Sequence, residues 1–320
     1  DAHFERTGDH NISKLYKLIT ELVQDEIIIC PVSPIVFQEV LKQIGNPEFL
    51  ETIKIIELLS KNVLTVTEEE HIYLQYRAIY KSYLTQTSAE DFSDCVWTKA
   101  IDAFGHRIPP TQLATNNKND DFELYKKYLD DTWDLSITEL ITKSAIASKG
   151  LKPEYNATEG ISRLNYNNEQ HKNDFSSFDD LFITERLGTL DAYKFVLWRA
   201  FVDALSSFEN NYSEEKKVKI FEKLTRKSVD KKSQVPALIE IRAGVHTLIR
   251  YENWKYKDFN DIFDYHQSYN AIPFFDYFLT EKKLNNLVNH KRLQFGKKFN
   301  CIIEYKIQNA IEILNQLRKK

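Results

Sequence analysis

Within residues 260–281, NDIFDYHQSYNAIPFFDYFLTE, Asp261 and Asp264 are spaced to share one face of a helix, about a turn apart. Asp276 interrupts an aromatic run at 274–280, where an acid is expected to be buried or edge-facing and to need a partner or a metal. Glu281 stands just beyond that run, and far upstream Glu39 falls in the second turn of a helix opened by Ser33-Pro34. Carboxylates gathered in one place raise one another's pKa unless a cation neutralises them. Hard oxygen donors without thiolates or paired imidazoles suit Mg2+ or Mn2+, and such a centre activates water and stabilises the leaving oxygen in phosphodiester hydrolysis. The structural alternative is plainer: Asp258 or Asn260 caps the helix, Asp261 and Asp264 lie on its wet face, and Glu39 is a helix-surface residue.

Elements distant in sequence must converge to bring these acids together. Residues 26–32, EIIICPV, form a β-branched apolar run bounded by charge and proline, the pattern of a buried parallel strand. Ser33 as N-cap and Pro34 at the first helical position then launch a helix over 34–44 that carries Glu39. Helical spacing also marks 11–24, most of 46–150 with a break at 106–119, 181–208, 213–232, 236–251, 258–270, 281–289 and 306–320. The polar stretch 150–180 is expected to be a surface loop or lid, and 274–280 and 299–303 are further strand candidates. Strands alternating with helices imply a parallel sheet, and ligands of such sheets sit beyond the carboxyl ends of the strands. Glu281 and the Glu39 helix would both stand there.

Other chemistries are poorly supported. Cys30, Cys95 and Cys301 lack metal-ligand spacing, which sets thiolate zinc aside and suits a reducing compartment. The chain has no H-E-x-x-H, G-x-G-x-x-G, Walker lysine loop or G-x-S-x-G elbow. His266 is expected to be structural or to donate a hydrogen bond to a nearby carboxylate. No apolar run is long enough to span a bilayer and no signal peptide opens the chain, so a cytoplasmic protein without membrane contact is expected. Hydrophobic residues at 42% exclude a disordered chain. A net charge of −4 means that nucleic acid would need a local basic patch. Lys282, Lys283, Lys291, Arg292, Lys297 and Lys298, interleaved with Phe295 and Phe299, offer one beside Glu281; the alternative is a solvated face.

The order of these motifs resembles the PIN-like nuclease family: an acidic residue early in the chain, a strand followed by Ser and a helix bearing Glu, then an ND-x-x-D helix, a proline, an aromatic strand and a T-acidic-K turn. The resemblance covers residues 1–45 and 235–320. It implies an α/β, three-layer PIN-like fold with a parallel sheet, helix-rich, in which 46–234 is a large α-helical insertion. It also implies that Asp1 is the family's first-strand aspartate, with that strand ahead of it. Glu39 matches the helix glutamate, Asp261 or Asp264 the third acid, Glu281 the fourth in place of the commoner Asp, and Asp276 an additional acid of longer relatives. The function so implied is a metal-dependent nuclease, acting on RNA more than DNA, of a bacterial toxin or defence kind. Asp1, Glu39, Asp264 and Glu281 would hold Mg2+ or Mn2+, with Asp261 and Asp276 as further ligands or water-positioning groups. Two rivals remain: a helical interaction protein whose PIN-like core has lost catalysis, engaging a protein partner or a second copy, and a metal-dependent phosphatase acting on small esters.

Overall fold

Helical spacing of apolar residues runs through most of the chain, and helix is what forms. The computed structural model describes residues 10–41, 43, 45–88, 93–103, 127, 130–147, 157–206, 212–230, 233 and 235–319, and helix takes 69% of these in 16 segments. They are α1 (His10–Gln24), α2 (Pro34–Leu41), α3 (Phe49–Ser60), α4 (Glu68–Thr85), α5 (Ala100–Ala103), α6 (Ile137–Ala147), α7 (Ala157–Gln170), α8 (Phe178–Ala192), α9 (Lys194–Ser206), α10 (Glu214–Val229), α11 (Ala237–Tyr251), α12 (Phe259–Ala271), α13 (Lys282–Val288), α14 (Phe295–Lys298) and α15 (Ile307–Leu317), with a 3-10 helix at Ser93–Val96. The strands are β1 (Leu64–Thr65), β2 (Trp97–Thr98), β3 (Tyr277–Leu279) and β4 (Ile302–Glu304). Side-chain oxygens of Thr67, Ser177, Ser213 and Asp258 accept backbone N–H groups at the starts of α4, α8, α10 and α12. They satisfy donors that a first helical turn leaves open.

The largest core runs from Tyr76 and Tyr80 on α4 through Phe201 on α9 and Ile241 on α11 to Tyr269 on α12, Leu287 on α13 and Ile303 on β4. Residues from the middle of the chain and from its last quarter therefore share one interior. A second core joins Val32, Phe37, Ile53, Leu64, Ile101 and Ile141, and a third joins Leu18 and Leu22 of α1 to Ile311 and Leu314 of α15. On α11, Gly244 lets the Phe295 ring lie against the helix: a Cβ there would meet Phe295 Cζ at 2.5 Å.

The expected three-layer α/β fold does not form. Among the described residues the only sheets are two-stranded: β1 with β2, antiparallel, and β3 with β4, parallel, in the register Tyr277↔Ile302 to Leu279↔Glu304. Residues 26–32 show the physical reason. Val32 makes one isolated bridge to Leu64, while Glu26 takes φ 57° and turns the chain away from α1. The Cys30 N–H donates to the Leu59 carbonyl at the end of α3 (2.9 Å), and Ile28 packs on the α1–α15 core. Ile28 and Val32 each reach a helical core while Ile27 and Ile29 stay exposed, so the run joins no sheet; periodicity alone does not separate such a segment from a strand.

Smaller differences follow the same logic. The expected helix over 181–208 is two helices divided at Tyr193, and α7 occupies much of the expected loop at 150–180. The strand candidate at 274–280 contracts to β3, and the one at 299–303 is displaced towards the C-terminus as β4. The break at 106–119 lies outside the described residues. Among the described residues, no helix is long and apolar enough to cross a membrane.

Candidate functional site

α12 carries the ND-x-x-D motif, and its start is fixed by Asp258, whose Oδ1 accepts the N–H groups of Asn260 (2.8 Å) and Asp261 (3.3 Å). Asp261 is 7% exposed and its carboxylate is already occupied. Oδ2 accepts the Lys257 N–H at 2.7 Å and Oδ1 accepts the Lys283 ammonium from the first turn of α13. A buried acid held in this way ties the entry of α12 to α13, and an ammonium partner meets its charge.

One turn on, Asp264 is half-buried. Its carboxyl is pushed up to about 6, first by burial, then by the negative charges of Glu281, Glu39 and Asp261, with Lys283 acting the other way. Glu39 comes from α2, which packs on α12, and its Oε2 accepts the Gln267 side-chain N–H at 2.7 Å. Glu281 is exposed and forms the N-cap of α13, immediately past β3. The parallel pair sets that position: the Thr280 N–H donates to the Glu304 carbonyl at 2.9 Å, carrying the ladder one residue beyond Leu279. Segments far apart in sequence thus bring Glu39, Asp261, Asp264 and Glu281 into one electrostatic neighbourhood.

The remaining candidates stand elsewhere. Asp276 is not buried in a strand: it precedes β3 and is exposed, and its carbonyl accepts the Ile302 N–H at 2.8 Å. Its charge bears on Cys301, whose thiol is pushed up to about 12, chiefly by burial. Asp1 lies outside the described residues. Among the described residues, no group of three or more His, Cys, Asp or Glu side chains is arranged to hold a metal ion. The donors that share Asp264's field are carboxylate oxygens, the type that Mg2+ and Mn2+ prefer, but they do not form a closed ligand shell.

The expected basic patch is divided. Lys283 is paired with Asp261 and Lys298 with Glu240 at 2.7 Å, while Arg292 lies over the rings of Phe178 and Tyr251 (5.1 and 4.7 Å). Lys282, Lys291 and Lys297 are exposed. A separate open groove of about 430 Å³ along α10, lined by Lys219, Glu222, Lys223, Arg226, Lys227 and Asp230, mixes both signs and involves none of the acids above.

Sequence reasoning missed a polar network on another side of α12. The His266 Nδ1 meets Glu68 Oε1 at 2.5 Å, the Tyr193 hydroxyl donates to Glu68 Oε2 at 2.9 Å, and Arg242 donates to that hydroxyl at 2.7 Å. Burial raises the Glu68 pKa, but the hydrogen bond and charge of His266, with Arg242 and Tyr193, hold it below the ordinary carboxylate range. Nearby, His246 lies between the hydroxyls of Tyr256 (2.6 Å) and Tyr269 (3.2 Å). Its pKa is pushed down to about 3 by burial and then by the charges of Arg242, His266 and Arg250. The signal for this network was His266, expected to bond a carboxylate; its partner lies 198 residues away, and no local pattern points to it.

Comparison of the chain with family models, curated proteins and solved structures gives no match.

Proposed function

We propose that the protein is a metal-dependent nuclease that hydrolyses phosphodiester bonds, with RNA as its substrate. The observation that carries this reading is the Asp264 carboxyl, pushed up to about 6 in a field shared with Glu39, Asp261 and Glu281. Strongly perturbed pKa values cluster at functional sites, and a divalent cation neutralises a field of gathered carboxylates. Glu39, Asp264 and Glu281 would hold Mg2+ or Mn2+. When bound, the cation would supply charge for the developing phosphorane and lower the pKa of water. Gln267 holds the Glu39 carboxylate in place, and Lys283 keeps Asp261 neutralised beside the site. The exposed Lys282, Lys291 and Lys297 suit contact with a phosphate backbone. RNA is named from the resemblance of the acidic motifs to those of PIN-like nucleases, and a cytoplasmic setting suits the unpaired Cys30, Cys95 and Cys301.

One observation favours a second reading, a non-catalytic interaction protein: Lys283 already supplies a cation to Asp261. Purified protein incubated with single-stranded RNA in Mn2+ or EDTA separates the two. The nuclease reading expects Mn2+-dependent cleavage that falls to the EDTA level in Asp264→Ala and Glu281→Ala. Cleavage that survives both substitutions, or no Mn2+-dependent cleavage by wild type, overturns it. Turnover of a chromogenic phosphate ester without cleavage of RNA would instead assign a phosphatase.

A further inference from the structure

α10 concentrates positive charge in a chain that carries a net −4. Residues 214–229 hold six lysines and arginines against three glutamates, and six minus three leaves the helix at +3. Two of the acids are taken up inside the helix: Glu214 pairs with Lys217 at 2.6 Å and Glu215 with Lys219 at 2.5 Å. Further along, Lys223, Arg226 and Lys227 are exposed and have no ion-pair partner among the described residues. With Lys219 and Glu222 they line the open groove of about 430 Å³.

The cations form a row. At about 100° per residue, Lys216, Lys219, Lys223 and Lys227 fall within roughly 80° of arc and span roughly 16 Å of the axis. That is the length of about five nucleotides of one strand at 3.4 Å each. Near its two ends Lys216 lies over the Tyr212 ring at 4.1 Å and Lys227 over the Tyr83 ring at 5.5 Å.

The end of the row meets a second basic segment. Arg186, fully buried, donates to the Asp230 carbonyl at 2.6 Å and to Glu240, and Glu240 accepts the Lys298 ammonium at 2.7 Å. The end of α10 and the basic turn of α14 are thus joined through one pair of side chains. Glu240, the acid between them, is neutralised from both sides, and Lys297 beside it is exposed. A partner that follows such a track must carry anions at regular spacing, as a nucleic-acid strand does. A lysine that moves from its tyrosine onto a phosphate also frees a ring face for a base to stack on.

We propose that the α10 face and Lys297 form a binding track for the phosphate backbone of a single-stranded nucleic acid. The track is separate from the acids around Asp264 and does not depend on their holding a cation.

The test titrates a fluorescent single-stranded RNA with the full chain in EDTA, over a series of salt concentrations. Wild type binds with a Kd between about 1 and 100 µM at physiological salt, and its affinity falls as salt rises. Replacing Lys223, Arg226 and Lys227 together by Ala lowers the slope of log affinity against log salt by about 2, at roughly 0.7 per cation on a single strand. All three side chains are exposed, and far-UV circular dichroism checks that the helix survives. Glu222→Gln removes an acid from the groove and tightens binding at every salt concentration. With no divalent cation present, the titration reads the track even where no cleavage occurs, so failure of the nuclease reading leaves it standing. Wild-type affinity and slope in the triple variant, or no RNA binding by wild type, overturns the proposal. Binding to phosphatidylserine vesicles without binding to RNA overturns it too.

Discussion

On one side of α12 the Glu68 carboxylate lies among His266, Asn270, Tyr193 and Arg242; on the other, Asp264 lies among Glu39, Asp261 and Glu281. Burial acts in the same direction on both, raising the pKa. Cationic and hydroxyl donors bring Glu68 below its ordinary range, whereas like charges push Asp264 further up. The difference separates a carboxylate that holds the fold together from one that strains it. Neighbours decide the sign, and burial alone does not.

The two sides should answer oppositely to substitution and to pH. The largest effect is expected at Arg242. Arg242→Leu leaves Glu68 and Tyr193 without their guanidinium and should cost about 3 kcal/mol in urea unfolding at pH 7; a loss under 1 kcal/mol would mean that the network contributes little. His71, fully buried three positions along α4 from Glu68, gives the next effect. Its pKa is lowered from 6.5 to about 4, chiefly by burial. Below pH 6.5 the unfolded chain takes up a proton that the folded protein refuses, so stability falls with pH across that window by about 1.4 kcal/mol per unit. His71→Phe should remove this one-proton slope between pH 6.5 and 4, as read from unfolding free energies at a series of pH values.

Asp264 runs the other way. Its folded pKa of about 6 lies above the unfolded value near 3.8, so its contribution is fully present below pH 3.8 and is lost as pH rises through 6. Asp264→Asn should therefore stabilise the protein at pH 7 by about 1 kcal/mol, after discounting for solvent screening of a half-exposed group. The gain should vanish near pH 4. The same substitution should abolish Mn2+-dependent cleavage, a stability–activity opposition expected of a strained site. The smallest effect belongs to the exposed rim. Lys297→Ala should change stability by less than about 0.5 kcal/mol yet reduce the salt dependence of RNA binding by about one counterion.

The site's local pieces were legible in sequence. Spacing placed Asp261 and Asp264 a turn apart, the aromatic run located β3, and the residue after it placed Glu281 past the strand end. Their convergence with Glu39 was expected from a sheet that does not form. α2 instead reaches α12 by helix packing, with Gln267 bridging to Glu39. Residues 26–32 misled because an apolar, β-branched run fixes neither burial nor hydrogen-bond partners by itself: Ile27 and Ile29 stand exposed, and only Val32 is buried and bridged to Leu64. Asp276 misled because the strand proved shorter than the aromatic run. Glu68 was invisible for a different reason: a long-range side-chain hydrogen bond leaves no periodic trace in either of the segments that form it.

The contact between Gly244 and Phe295 carries one more consequence. Position 244 has no room for even a methyl group while an aromatic ring occupies position 295. Across any set of descendants of this chain the two positions should drift together, with a larger residue at 244 admitted only where 295 has shrunk. A lone change at either would leave a clash or a hole.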